Sequence, residues 1–156
     1  MDPTTFFSGA GGEVDECSLL LRFFGDNLDP DAVSAMLGVD STESFRKGDL
    51  VKEGESARRA TGAWLLDCEK TTDTVDGQVM LLFGDLTDDL GIWESLAESY
   101  VAEIKCHLFL RRWNRATILS QSTIEAVGAR HLRLHFDIYT PHQLWRSLSS
   151  EGKLPQ

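Results

Sequence analysis

His107, His135 and Asp137 are the residues of this 156-residue chain whose types suit proton chemistry near neutral pH. An imidazole beside a carboxylate works as an acid or a base, and two imidazoles with a carboxylate can hold a metal ion. The three fall at alternate positions of two strand-like runs. In 101–111, Ile104, Cys106, Leu108 and Leu110 point one way and Glu103, Lys105, His107, Phe109 and Arg111 the other. In 132–139, Leu132, Leu134, Phe136 and Ile138 point inward, and Arg133, His135, Asp137 and Tyr139 outward. The alternation therefore puts both histidines and Asp137 on one outer face with Lys105, Arg133 and, from another strand, Asp67. No nucleophile accompanies them in the sequence, and the simpler role of such a face is solvation. His131 and His135 are four apart but straddle the start of the strand, so they lack the common helical face of a zinc motif. No metal or cofactor is expected.

Two basic clusters come next. Arg46, Lys47, Arg58 and Arg59 flank a glycine-bearing polar stretch before Trp64. Guanidinium forks bind carboxylate or phosphate in pairs, which makes this a candidate anion site; pairing with nearby acids of the same chain is the competing use. Arg111, Arg112, Trp113 and Arg115 combine arginine with an aromatic in a loop, the composition of a binding hot spot. Opposite in sign, residues 76–100 hold six acids and no base, with Asp85, Asp88, Asp89 and Glu94 as candidate contacts for a basic partner.

The elements that must carry these residues are legible from pattern. CSLLLRFF at 17–24 predicts a strand covered on both faces. Asp29-Pro30-Asp31 is an N-cap, a first-turn proline and a first-turn acid, opening a short helix with Val33, Met36 and Leu37 inside and Gly38 at its end. Residues 41–61 predict an irregular excursion with one short strand near Phe45. Gly62–Glu69 alternates as a strand, with Trp64, Leu66 and Cys68 on one side. The stripe Val75, Val79, Leu82, Leu86, Leu90, Trp93, Ala97 is helical, and Thr87 as a new N-cap divides it in two. Ser120 or Ser122, the latter boxed with Glu125, starts a helix with Ile124 and Val127 inward. Thr140-Pro141 with Gln143 starts a last helix bearing Leu144, Trp145 and Leu148.

The expected order is β-α-β-α-α-β-α-β-α: an α+β, two-layer sandwich with about four strands and helices mainly on one face. Trp64, Leu66, Leu108, Phe136 and Ile138 are its expected core. Residues 1–14 read as a flexible arm, 15–140 as a single domain and 141–156 as a short helix and tail.

Four segments carry a resemblance: GDNLDPDAVSAMLG at 25–38, SFRKG at 44–48, TGAW at 61–64 and HLRLHFDIY at 131–139. In them the chain resembles the bacterial family of domain of unknown function 4279, over roughly residues 18 to 140. The resemblance implies a small intracellular α+β domain and no activity. Where family members carry a glycine-rich stretch after the third main strand, this chain has Arg111-Arg112-Trp113-Asn114-Arg115.

Charge limits the function. The net charge of -10 repels polyanions, which argues against binding double-stranded nucleic acid and favours encounter with a basic protein. No apolar run reaches the roughly 20 residues of a membrane span. Cys17, Cys68 and Cys106 are odd in number and far apart, as suits reduced thiols. The expectation is a cytoplasmic, non-enzymatic protein-binding module, most concretely an acidic immunity or inhibitor protein that neutralises a basic toxin. The alternative is a small enzyme or anionic-ligand sensor built on His107, His135 and Asp137 with the Arg46/Arg58/Arg59 cluster.

Overall fold

The computed structural model describes residues 11–112 and 114–140. The predicted last helix and Trp113 lie outside these residues. The elements are β1 (Glu16–Gly25), α1 (Pro30–Leu37), β2 (Glu43–Phe45), β3 (Gly62–Asp67), α2 (Val75–Gly84), α3 (Leu90–Ser99), β4 (Val101–Phe109), α4 (Gln121–Ala129) and β5 (Arg133–Tyr139). They build one mixed sheet of five strands in the order β2-β3-β1-β4-β5, not the four-stranded sheet expected. The fifth is β2, the short strand expected near Phe45, which joins the sheet at its edge in addition to the four.

β1 pairs antiparallel with both β3 and β4, and β5 lies parallel to β4 across α4. The α4 crossover joins neighbouring strands, whereas the chain leaving β1 through α1 passes to β2, beyond β3.

Burial along β1 strictly alternates, which corrects the expectation of a strand covered on both sides. Cys17, Leu19, Leu21 and Phe23 are buried against the helices, while Ser18, Leu20, Arg22 and Phe24 on the other face are only half-buried. At the centre of the helical side, Phe23 stands edge-on to Trp64 with ring centroids 5.8 Å apart and touches Trp93, which meets Phe83. Both indole N–H groups are satisfied: Trp64 Nε1 donates to Ser34 Oγ at 2.9 Å and Trp93 Nε1 to the Thr87 carbonyl at 2.9 Å.

Helix starts follow local chemistry, with shifts. Asp29 caps α1 ahead of Pro30, and Gly38 ends it at φ 82, a left-handed value that glycine adopts without strain. For α3 the cap is Asp89, two residues past the Thr87 expected: the Asp89 carboxylate accepts the Gly91 N–H, while the Thr87 hydroxyl accepts the Asp89 N–H ahead of the helix. Ser120, not Ser122, caps α4, and this phase buries Thr123 and Val127 while leaving Ile124 in solvent. The inward phase of β5 also needs correction in depth. Phe136 and Ile138 pair in register with buried Cys106 and Leu108, yet they are 41% and 59% exposed because β5 is an edge strand beside an open groove.

Candidate functional site

On the sheet face away from the helices, outward positions of β1, β4 and β5 come together. Parallel register sets Lys105 beside His135 and His107 beside Asp137, so the two histidines and the aspartate share one face as their alternation predicted. Lys105 Nζ lies 2.8 Å from Asp137 Oδ2, and Tyr139 donates its hydroxyl to the same oxygen at 2.9 Å. Those two hydrogen bonds hold the Asp137 carboxyl below the usual carboxylate range, and the bond to Asp137 raises the Tyr139 hydroxyl against the opposing pull of Lys105. His107 lies 3.9 Å from Asp137, stacked on the Tyr139 ring. Burial and then the Lys105 ammonium lower its pKa below 6.5 and so favour the neutral imidazole, although Asp137 and Asp67 pull the other way.

His135 belongs to a second group. Its Nδ1 is 3.6 Å from Glu103 Oε1 and 3.5 Å from an Arg22 nitrogen, and Arg22 is hydrogen-bonded and ion-paired to Glu103. Sequence reading missed this group. Glu103 occupies an outward position of β4 and reads as solvated, yet its residue is only 3% exposed, sealed by the Arg22 and His135 side chains. The available signal was Arg22 itself, the one base among the first 40 residues, placed mid-strand.

Chemically, this face is self-satisfied. Each imidazole faces a carboxylate that is already engaged by a cation, which is the arrangement of a rigid polar surface more than of a base waiting for a substrate. Three clefts lined by described residues lie around Leu66 and Leu82, around Leu20 and Leu65, and around Leu108 and Ile138, and His107, His135 and Asp137 line none of them. Among the described residues no group of three His, Cys, Asp or Glu side chains is placed to hold a metal ion.

The first basic cluster is exposed but bonded within the chain. Arg46 bonds the carboxylates of Asp29 and Asp31 at the start of α1, and Lys47 bonds Asp26. Arg58 donates to the Gly48 carbonyl at 2.7 Å, and Arg59 lies over the Phe45 ring at 3.9 Å beside Glu43. These contacts tie the 46–59 excursion to β2 and α1. In the second cluster, Arg115 forks onto Asp15 with bonds of 2.9 and 3.0 Å, and Arg111 reaches Glu16. The fork, with the Arg111 N–H also bonded to Asp15, holds the Asp15 carboxyl down at about 2. Residues 12–14 are tied in alongside, through paired backbone bonds with Ala116. Arg112 remains exposed.

Acids 85–94 are divided in their use. Asp89 accepts the Gly91 N–H as a helix cap, and Asp88 lies 3.9 Å from Arg130 while almost wholly exposed. Asp85 and Glu94 are exposed and have no ion-pair partner among the described residues. No ion pair or hydrogen bond joins these acids to Arg111, Arg112 or Arg115 among the described residues.

No helix among the described residues is long and apolar enough to cross a membrane. A family model described as "Domain of unknown function (DUF4279)" matches residues 15–141. No curated protein and no solved structure matches the chain.

Proposed function

Because the chain belongs to the DUF4279 family, whose description assigns no activity, we propose its function from geometry: a non-enzymatic module that binds a basic protein through its acidic helical surface. The most concrete form is an immunity or inhibitor protein that neutralises a basic toxin in the bacterial cytoplasm. The observation that carries this reading is where unspent charge remains. Arg22, Arg46, Lys47, Arg59, Lys70, Lys105, Arg111, Arg115 and Arg130 each face an acid of the same chain. Asp85, Glu94 and Glu98 on the helical side, by contrast, have no ion-pair partner among the described residues, where the bases without one are Lys52, Arg58, Arg112 and Arg133. A field built this way steers a cationic partner and fixes its orientation.

The test is affinity capture from the native organism with tagged wild-type protein, beside Asp85→Asn/Glu94→Gln and Arg112→Glu variants, at low and moderate salt. One basic protein held by wild type, weakened by the acid substitutions and released by salt is the expected result. Recovery of no basic protein, or retention indifferent to both charge and salt, would sink the reading.

A second reading, a small enzyme or anionic-ligand sensor, draws on the convergence of His107, His135 and Asp137 on one sheet face. It requires that His107→Ala with His135→Ala abolish a phenotype that the acid variants leave intact.

A further inference from the structure

β5 ends the sheet on one side, and among the described residues no strand pairs with its outer edge. Such an edge offers a row of unpaired N–H and C=O groups, which folded proteins blunt with proline, lysine, a bulge or brevity. β5 has none of these devices. Its seven residues, RLHFDIY, contain no proline or lysine and follow β4 in unbroken register.

Along a strand, the N–H and C=O of successive residues point to opposite edges. The Tyr139 carbonyl accepts the Leu110 N–H at 2.9 Å, so Tyr139 and the alternate residues Asp137, His135 and Arg133 turn their backbone groups toward β4. Leu134, Phe136 and Ile138 turn theirs outward. The side chains of these three stand on the helical face, in register with Ile104, Cys106 and Leu108, and Phe136 and Ile138 are left exposed there.

The strand is also complementary to itself. Laid antiparallel on a second copy about a two-fold axis at Phe136, it sets Phe136 against Phe136, Leu134 against Ile138, His135 against Asp137 and Arg133 against Tyr139. The outward-turned residues then form the hydrogen-bonded pairs, with their apolar side chains together on one face. His135 and Asp137 form the closer, non-hydrogen-bonded pair on the other face. Each keeps an atom for it. His135 engages Glu103 and Arg22 through Nδ1, and Asp137 engages Lys105 and Tyr139 through Oδ2, so Nε2 and Oδ1 have no partner among the described residues. An axis one residue earlier would oppose two His135 imidazoles and leave Ile138 and Tyr139 without strand partners.

We propose that the chain forms a two-fold dimer by antiparallel pairing of β5 with β5 of a second copy, joining two five-stranded sheets into one. The dimer does not depend on the acidic surface or on its basic partner.

The experiment is sedimentation equilibrium of the full chain over a dilution series, with Ile138→Lys and Ile124→Lys alongside. Both isoleucines are mostly exposed, so neither lysine disturbs the core. Wild type is expected at twice the 17.4 kDa chain mass at high concentration, with dissociation at least about tenfold easier in Ile138→Lys and unchanged in Ile124→Lys. Register is read by cysteine, in a Cys68→Ser background. A hydrogen-bonded pair places its Cα atoms about 5.5 Å apart, within the span of a disulfide, so Phe136→Cys should lock the dimer on mild oxidation and Ile138→Cys, which faces Leu134, should not. A dimer indifferent to Ile138→Lys, or locked through Ile138→Cys and not Phe136→Cys, would overturn the proposal. So would a wild type that keeps monomer mass throughout, which would leave the β5 edge to residues 141–156 or to a different protein.

Discussion

Arg22 on β1 stands directly across from Glu103 on β4 and caps a carboxylate that is buried on the sheet face no described helix covers. A buried carboxylate is tolerable only while its counter-charge is in place, since removing one partner costs more than removing both. Arg22 is itself about a quarter exposed, which lets water share the charge. Arg22→Met is therefore expected to destabilise the fold by about 3 kcal/mol, and Arg22→Met/Glu103→Leu by much less. Urea unfolding of the three proteins decides it: a double variant at least as unstable as the single one contradicts the argument.

The edge of the sheet predicts a contrast within one register pair. Leu108 and Ile138 are partners on the same face, but Leu108 is buried and Ile138 mostly exposed. Leu108→Ala should cost about 2–4 kcal/mol and Ile138→Ala less than about 1 kcal/mol. Equal losses in thermal or chemical unfolding would mean that β5 is covered more fully than its exposure indicates.

Asp15 gives a pH dependence. Its carboxyl titrates at about 2 in the folded protein against 3.8 unperturbed, so the unfolded chain binds the proton first as acid is added. The stabilisation from the Arg115 fork is whole above roughly pH 5 and is lost as the pH falls toward 2. Because the pair lies near the surface, Asp15→Asn should lower stability at neutral pH by only about 1 kcal/mol. The gap between wild type and variant should close in acid, and a gap that persists below pH 2 counts against the fork as its cause.

His107 has the opposite sign of charge and the same direction of shift. Its folded pKa lies below 6.5, so the unfolded chain takes up the proton more readily and stability falls as the pH drops below that value. Histidine NMR should find His107 titrating below the free value, lower still in Asp137→Asn and higher in Lys105→Met. A His107 resonance unmoved by either substitution would show that these neighbours do not set its charge.

Local chemistry was readable in the sequence, and distance was not. Asp29, Pro30 and Gly38 delimit α1 because capping depends on residues within a few positions of one another. Alternation likewise put His107, His135 and Asp137 on one face, since period two needs no knowledge of strand order. The burial of Glu103 depends on a base 81 residues away, and no pattern in 101–111 announces it. β2 was legible as a short strand near Phe45, but three residues carry too little period to show that it joins the main sheet. The cleft around Leu66 and Leu82 was invisible for a related reason: it lies where β2 stops covering β3, a property of pairing. The 46–59 arginines show the limit of composition. Their types suit an anion site, and their positions in space give Arg46 and Arg59 to Asp29, Asp31 and Glu43 and Arg58 to the Gly48 carbonyl.

The first strand in the chain is the middle strand of the sheet, and that ordering shapes how the protein is made. During synthesis Leu19, Leu21 and Phe23 leave the ribosome long before their partners on β4, residues 101–109, exist to cover one side of them. Hairpins cannot complete this sheet one after another. The central strand must wait for most of the chain, so folding is governed by closure of long loops and runs more slowly than for a helical domain of equal size. A ribosome stalled before residue 101 would therefore hold an apolar strand with an open edge, a nascent chain that chaperones would be expected to bind.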